Sequence, residues 1–282
     1  MFLINIRELT LENFIGDQNI PRYFILSHTW SDDEVTYQDV RDTPKERLDH
    51  RKGWQKITGF CEMLLTPGKW PNSQLDLRGI EYAWVDTCCI NKDSSAELSE
   101  AINSMYQWYK NAAACIVYLD DVTETVMDCG QVRSSRWFTR GWTLQELLAP
   151  TVVTFYNKEW TRIGTLREDA TCISEITGIN WKFLYFKYLN IPDEIESASV
   201  AQKMSWAAKR QTTRSEDMAY CLMGLFDVNM PLLYGEGGEK AFCRLQEEIL
   251  KDSQMRARLR TTNEDVGQPF QPGSGSCEDD LK

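Results

Sequence analysis

The sequence predicts an α/β protein whose core is a mainly parallel, doubly wound sheet. The first observation is a set of continuous apolar segments of strand length, the pattern of strands that are covered on both faces. The second is that amphipathic helical segments lie between them, so that strand and helix alternate from residue 23 to residue 156. This order favours parallel strands that are joined by helical crossovers.

Four apolar segments are the predicted strands: residues 23–27, 82–90, 115–119 and 151–156. Ligands of open α/β sheets bind beyond the carboxyl ends of the strands, so we expect a crevice there. The polar residues placed for it are Ser27, His28, Asp86, Asn91, Asp120 and Asp121. The last two are also candidates for a metal site or for paired acids, although strand-end aspartates more often form turns.

The helical spacing of apolar residues places the helices. Ser94 and Glu97 have the spacing of a capping box, which predicts a helix start. A second helix should run from Trp142 to Ala149 and stop at Pro150, which cannot continue the helical hydrogen bonds. The other predicted helices are one within residues 31–79 and four at residues 166–176, 198–209, 215–226 and 239–250.

The change of pattern along the chain predicts three parts. Residues 1–160 form the α/β domain, and residues 161–255 form a helical C-terminal extension that packs on it. Within the extension, Ser215 is a candidate N-cap. Residues 256–282 are polar and are expected to be a flexible tail.

Composition excludes several classes of function. The chain has 282 residues, with 31 Lys and Arg against 42 Asp and Glu, a formal net charge of −11. General binding to duplex nucleic acid needs a basic surplus, so nucleic acid is not an expected partner. The apolar runs are far shorter than the roughly 20 residues of a membrane-spanning helix, and no export signal is visible. We therefore expect a soluble, cytoplasmic protein.

Nine Cys and two His limit the metal and redox chemistry. No Cys pair has the C-x-x-C spacing, and an odd Cys count is atypical of a disulfide framework. We expect buried thiols in a reducing compartment and no metal site.

The segment 135–150 carries the strongest candidate site. Trp142 and Glu146 are four residues apart, so they share one face of a helix. A carboxylate beside an indole is partly desolvated, which raises its pKa and strengthens its hydrogen bonds to a ligand. The alternative is that Glu146 pairs with Arg136 or Arg140 and that Trp142 is a core residue.

Two other candidates have weaker support. A thiolate of Cys88 or Cys89 with His28 as base would suit a hydrolase, but both Cys lie in an apolar run, where inert thiols are expected. The glycine-rich segment 235–240 lacks the spacing of a phosphate-binding loop and is better explained as the N-terminal turn of a helix.

Three blocks of the sequence resemble the fungal heterokaryon-incompatibility (HET) domain. They are YFILSHTW at residues 23–30, WVDTCCINK at residues 84–92 and RGWTLQELLAP at residues 140–150. The resemblance covers roughly residues 20–252. It implies a death-triggering module that acts in non-self recognition when genetically different hyphae fuse. Self-association is then expected, as is a receptor-like partner with nucleotide-binding and repeat domains.

The HET family is in turn distantly similar to TIR domains, which implies a TIR-like, flavodoxin-like sheet with helical insertions. In TIR enzymes that cleave NAD, a Glu four residues after a Trp is catalytic. The resemblance therefore makes Glu146 the expected catalytic residue, with Trp142 beside it.

Under this interpretation NAD is the substrate, and no cofactor or metal is needed. The residues expected to bind the substrate are Ser27, His28, Trp30, Asp86, Asn91, Arg140 and Trp142. The alternative is a non-enzymatic signalling module that kills by oligomerising and recruiting partners.

Overall fold

The computed structural model describes residues 1–66, 79–185 and 194–265, without the side chains of residues 17, 194 and 253–265. The strands are β1 (Phe2–Asn5), β2 (Leu11–Asn13), β3 (Tyr23–His28), β4 (Tyr82–Trp84), β5 (Ala114–Tyr118), β6 (Val153–Tyr156) and β7 (Arg162–Thr165). The α-helices are α1 (Tyr37–Asp42), α2 (Lys52–Leu65), α3 (Ser95–Asn111), α4 (Cys129–Val132), α5 (Thr143–Leu148), α6 (Ala170–Thr177), α7 (Trp181–Tyr185), α8 (Glu194–Ser197), α9 (Val200–Ala207), α10 (Asp217–Tyr220), α11 (Met223–Phe226) and α12 (Gly238–Asp265). Short 3-10 helices cover Asp17–Asn19, Lys45–Arg47 and Arg136–Thr139.

The strands form one sheet in the order β2-β1-β4-β3-β5-β6-β7. Its central strands β4, β3, β5 and β6 are parallel. Antiparallel strands flank them, because β1 pairs with β2 and β4, and β7 pairs with β6. The predicted mainly parallel α/β sheet is confirmed in its centre, while its two sides are antiparallel.

The central strand order creates a topological switch point beside β3. The chain passes from β3 to β4 on one side and then crosses to β5 and β6 on the other. At such a point the connections leave the sheet in opposite directions, which opens a crevice beyond the carboxyl ends of β3 and β5.

Helices cover both faces of the central strands. Ser27 and His28 are successive residues at the end of β3, so their side chains point to opposite faces. Ser27 contacts Glu146 of α5, whereas His28 contacts Lys56 of α2. The helices α5 and α2 therefore lie on opposite faces, which is the doubly wound arrangement.

Buried aromatic rings fix α3 against the strands that end at the crevice. Trp84 of β4 meets Trp108 and Tyr109 of α3 edge-on, with ring centroids 5.6 and 5.8 Å apart. The Tyr109 hydroxyl donates to the carbonyl of Leu26 at 3.1 Å. The polar atom of this buried ring is thus paired, as burial of a tyrosine requires.

The second predicted strand is wrong in its length. The strand β4 ends at Trp84, and the chain then turns, because the Cys89 N–H donates to the Val85 carbonyl at 2.8 Å. The other predicted strands are confirmed with small shifts at their ends. The strands β1, β2 and β7 were not predicted, since they are only three or four residues long.

Most predicted helices are present, with one clear correction. The predicted helix 215–226 is two short helices, α10 and α11, and Ser215 is not an N-cap. The N-cap residue of α10 is Glu216. Its carboxylate oxygen Oε1 accepts hydrogen bonds from the N–H groups of Gly235 and Gly237. This contact forms the turn before α12, which agrees with the helix-start interpretation of the glycine-rich segment.

The structure corrects the prediction that the cysteines are buried thiols, because two of them form a disulfide. Cys129 of α4 and Cys172 of α6 are joined by a disulfide, because packing of these helices brings their Cα atoms to 5.3 Å, a separation at which a disulfide forms. Six other described cysteines form no disulfide, and of these Cys243 is exposed. Cys277 lies outside the described residues.

The C-terminal part of the chain contributes a strand to the sheet of the N-terminal part. The strand β7 follows the predicted boundary at residue 160 and belongs to the same sheet. The helix α12 continues to Asp265, and the remainder of the predicted tail lies outside the described residues. Within the part of the chain that the structure describes, no helix is long and apolar enough to cross a membrane.

Candidate functional site

A cavity of about 300 Å³ lies beyond the carboxyl ends of β3 and β4, beside the switch point. This volume is at the lower end of the range of small-molecule sites, which is about 300–1,000 Å³. Its lining includes His28, Trp30, Asp86, Ile90, Lys92, Leu98, Ile102, Met105, Arg140, Trp142, Thr143, Glu146, Thr213, Arg214, Asp217 and Tyr234. Six of the eight site residues predicted from the sequence are among them.

Glu146 lies on the cavity wall with 4% of its surface exposed. The helix α5 begins directly after Trp142, so the two side chains face the same cavity, as their spacing predicts. Glu146 accepts a short hydrogen bond from the Ser27 hydroxyl. Ser27 in turn accepts from the Trp137 indole N–H at 2.7 Å, which fixes the direction of its own proton.

Burial sets the ionisation of Glu146. Desolvation and the nearby Asp86 carboxylate raise the pKa of Glu146 to about 8, against the opposing effect of the hydrogen bond from Ser27. At neutral pH the carboxyl group is therefore mostly protonated in the free protein. A cation that enters the cavity would favour its ionised form.

The structure contains no ion pair between Glu146 and either Arg136 or Arg140, which was the alternative interpretation. Arg136 instead pairs with Asp120 and Asp121. Arg140 donates to the Thr213 hydroxyl at 3.2 Å. The two aspartates thus serve the loop after β5, and neither lines the cavity.

A buried polar chain holds Asp86 at the cavity from the opposite face of the sheet. The Lys56 ammonium of α2 lies 2.7 Å from His28 Nδ1 and 2.5 Å from Glu34 Oε1. Because an ammonium group only donates, Nδ1 accepts, and the ring proton on Nε2 donates to Asp86 Oδ1 at 2.9 Å. Burial acts to raise the pKa of Asp86, but its interactions with His28 keep it below its usual value.

Trp30 supplies an exposed aromatic surface beside Asp86. Its indole N–H donates to Asp86 Oδ2 at 2.7 Å, and 42% of the residue is exposed. The Lys92 ammonium lies 3.7 Å from the centre of the ring. The second carboxylate oxygen of Asp86 is therefore also occupied, so this group positions its neighbours rather than acting as a free base.

The C-terminal region forms the opposite wall, which sequence reasoning missed. Asp217 accepts from the Trp142 indole N–H at 3.3 Å and from the Tyr234 hydroxyl at 3.0 Å. The Arg214 guanidinium lies 4.3 Å from the centre of the Tyr234 ring. These residues lie within the region, roughly residues 20–252, that resembles the HET domain, and that resemblance is the signal that could have found them.

Arg210 connects this wall to the start of α5. It is buried, and its Nη1 donates to the Arg140 carbonyl and to the Thr143 hydroxyl, both at 2.9 Å. Desolvation lowers the pKa of Arg210 to about 10. A backbone pairing between Arg140 and Gln211 completes the connection. The loop that presents Trp142 and Glu146 is thus held by residues more than sixty positions later in the chain.

Two predicted site residues have other positions. Ser27 does not line the cavity but supports Glu146 from behind. Asn91 lies outside the cavity lining; it accepts from Gln38 at 2.8 Å and donates to Glu97 at 3.2 Å. Asn91 therefore helps to join α1 to the start of α3.

The cysteine alternative gains no support from the geometry. Cys88 and Cys89 are buried in the turn after β4 and do not line the cavity. A hydrogen bond with Cys89, together with burial, holds the pKa of the Cys88 thiol well above its usual value. His28 is engaged by Lys56 and Asp86. Among the described residues, no group of three or more His, Cys, Asp or Glu side chains is placed to hold a metal ion.

The fold and the cavity define a doubly wound α/β protein with a ligand-sized site at the carboxyl ends of its central strands. Residues 23–131 match the family model described as heterokaryon incompatibility protein (HET). The chain is also 45% identical over 253 residues to vegetative incompatibility protein HET-E-1 of Podospora anserina, an alignment that covers 86% of this chain. The chain therefore belongs to the HET family.

The alignment covers only a small part of the relative. The matched region amounts to 17% of the length of HET-E-1. No solved structure matches the chain. The family segment contains His28, Trp30, Asp86 and Lys92 of the cavity, whereas Glu146 lies after it.

Proposed function

We propose that this protein is a cell-death effector of fungal heterokaryon incompatibility that hydrolyses NAD, with Glu146 as its catalytic carboxylate. The observation that carries the proposal is the position of Glu146. It lies buried on the wall of the cavity beyond β3 and β4 and, among the described residues, forms no ion pair within 4.0 Å. A carboxyl group in this state remains available to a ligand.

The reaction follows from the charge that NAD carries. The nicotinamide ring is cationic, and it leaves as a neutral molecule that keeps the electron pair of the bond to the ribose. Positive charge then develops on the ribose, as in other glycosidic cleavages. An ionised carboxylate in a buried site stabilises such charge strongly. Water adds to the ribose carbon and loses a proton, which gives ADP-ribose.

The raised pKa of Glu146 suits this sequence of events. In the free protein the group is mostly neutral at pH 7, so the cost of a buried charge is avoided. The cationic ring favours the ionised form when it binds. Trp142 lies beside Glu146 and offers an aromatic surface against which a planar ring can pack.

The experiment that tests the proposal measures nicotinamide release from NAD by purified protein. Wild type should release nicotinamide when assembled, and Glu146→Gln should reduce the rate by roughly a hundredfold or more. Glu159→Gln is a matched control, because Glu159 is an exposed residue away from the cavity. Equal release by wild type and Glu146→Gln, or none by assembled wild type, contradicts the proposal.

The second candidate function is a non-enzymatic module that kills by oligomerising and recruiting partners. The observation that favours it is the family itself, since the name of the matched relative refers to incompatibility and not to an enzyme. It predicts that folded Glu146→Gln remains toxic when expressed in yeast and that cellular NAD stays constant. The enzymatic proposal predicts loss of both toxicity and NAD depletion.

We further propose that the protein acts in the cytoplasm and that self-association activates it, with a receptor-like protein as the upstream partner. The matched relative is much longer than the aligned region, which supports a module that works together with other domains. Size-exclusion chromatography with light scattering, run beside the nicotinamide assay, tests whether activity rises with assembly.

A further inference from the structure

Three basic side chains on the cavity lining form no close ion pair with a described carboxylate. They are Lys92, Arg140 and Arg214. In the described ranges none of them forms an ion pair within 4.0 Å.

The closest contacts of these cations are with neutral groups, while Asp86, Glu146 and Asp217 act on them from a longer distance. Lys92 lies over the Trp30 ring, Arg214 lies over the Tyr234 ring, and Arg140 donates to a threonine hydroxyl. Such contacts hold the side chains in place but leave most of their N–H donors unused.

The carboxyl groups of the same cavity are already engaged. Asp86 accepts from His28 and Trp30, and Asp217 accepts from Trp142 and Tyr234. Glu146 is mostly protonated at neutral pH. The cations therefore exceed the ionised carboxylates on the lining, so the cavity favours an anionic group.

We propose that Lys92, Arg140 and Arg214 form a subsite for the diphosphate of a nucleotide ligand. Guanidinium groups match the geometry of phosphate oxygens and bind them by paired hydrogen bonds, and an ammonium group adds a point charge. The inference rests on the proposed function only for the choice of NAD as the complete ligand; any nucleoside diphosphate carries the group that this subsite recognises.

The position of the three cations agrees with this assignment. Lys92 and Arg140 are half-buried and Arg214 is exposed, whereas Glu146 is buried. The cations therefore lie nearer to solvent than the carboxyl group. A cavity of about 300 Å³ then holds the reacting nucleoside in its interior, with the diphosphate at its mouth.

The subsite also gives the C-terminal region a role in ligand binding. Arg214 belongs to the segment before α10, and Lys92 follows β4. Residues far apart in the chain thus contribute to the same anion site.

Isothermal titration with ADP-ribose, which carries the diphosphate but no nicotinamide, tests the inference on the full chain. Adenosine is the neutral comparison ligand, and inorganic pyrophosphate is the minimal probe. Lys92→Gln, Arg140→Gln and Arg214→Gln should each raise the Kd for ADP-ribose by about tenfold to a hundredfold. Arg214→Lys should restore part of the affinity, and Arg41→Gln, which alters an exposed Arg away from the cavity, should leave it unchanged.

The outcomes separate this inference from the proposed function. Charge-dependent binding of ADP-ribose without any NAD cleavage supports the subsite and contradicts the enzyme. NAD cleavage with an unchanged KM in the three variants overturns the subsite and leaves the enzyme intact. Equal affinity for adenosine and ADP-ribose, or equal loss in Arg41→Gln, also overturns it. Thermal unfolding of each variant shows that the fold is retained.

Discussion

At the residue scale, the ionisation of Glu146 links the cavity to a measurable pH dependence. Desolvation is the main cause of its raised pKa, and the Ser27 hydrogen bond opposes that effect. The folded protein therefore holds a proton on this group at pH values where the unfolded chain has lost it. Its contribution to stability is fully present below the unfolded pKa of about 4.5 and is lost as the pH rises through about 8.

The first prediction concerns activity against pH. Because the ionised form of Glu146 is needed, kcat/KM for NAD hydrolysis should rise with pH, with a midpoint near 8. The midpoint for kcat should be lower, since the bound cationic ring favours the carboxylate. Initial rates over the neutral and alkaline range measure both profiles. A kcat/KM that is flat or falls through this range contradicts the assignment.

Ser27→Ala is the matched variant for that measurement. It removes the hydrogen bond that favours the carboxylate, so the midpoint of kcat/KM should move to higher pH. A loss of activity without a shift of the midpoint would indicate that Ser27 has a structural role only.

A second residue-scale prediction concerns stability. Lys56→Met leaves Glu34 buried without its cation, and Glu34 Oε2 already has no hydrogen-bond partner. We expect the free energy of unfolding to fall by roughly 3–5 kcal/mol. The double variant Lys56→Met/Glu34→Gln should recover part of the loss, because no buried charge remains. Urea unfolding measures both.

Lys52→Met is the control for this pair. Lys52 is an exposed residue at the start of the same helix, so its replacement should change stability by less than about 0.5 kcal/mol. Similar losses at positions 52 and 56 would show that the buried ion pair is not the cause.

At the scale of elements, the packing of α11 on α3 depends on a glycine, Gly224. A Cβ atom at Gly224 would lie 2.1 Å from the Cβ of Tyr106 in α3. The close approach of the two helices is what brings the C-terminal region against the helix that borders the cavity. Sequence periodicity gives no sign of this contact, since glycine contributes nothing to an apolar pattern.

The prediction at this scale is that Gly224→Ala forces α11 away from α3. We expect a loss of roughly 1–3 kcal/mol in the free energy of unfolding, measured from urea midpoints. Gly130→Ala is the matched control, because Gly130 is exposed in the short helix α4 and its nearest neighbour is a side-chain oxygen at 3.2 Å. Equal effects of the two substitutions would contradict this explanation.

At the scale of the whole molecule, the two predicted parts are connected through the loop before α5. The Gly141 N–H donates to the Gln211 carbonyl at 2.8 Å, and the Gln211 N–H donates to the Thr139 carbonyl at 2.7 Å. Arg210 adds two further bonds to the same loop. The first part of the chain therefore depends on the second for the position of its candidate catalytic residue.

We predict that a chain truncated after residue 160 does not unfold cooperatively in urea, in contrast to the full chain. The truncation removes β7 from the sheet and leaves the backbone groups of Thr139 and Gly141 without partners. Circular dichroism during urea titration measures the transition. A cooperative transition of the truncated chain would show that residues 1–160 fold independently.

Part of this molecule follows from the sequence because the signals are local. Continuous apolar runs mark the parallel strands, and the spacing of Trp142 and Glu146 places both on one helix face. The position of polar residues directly after an apolar strand is also a local signal. The polar residues after β3 and β4 were therefore expected near a crevice. The first two family blocks, at residues 23–30 and 84–92, lie within the segment that matches the family model.

The remainder was decided by tertiary structure. Short antiparallel strands such as β1 and β7 have too few residues for a periodic signal, and they form because a neighbouring strand supplies their hydrogen bonds. The ion pair that orients His28, and the wall that contains Arg214 and Asp217, join residues distant in the chain. Such contacts depend on how the elements pack. Because many side chains from distant segments contribute to the packing energy, no single segment of the sequence predicts these contacts.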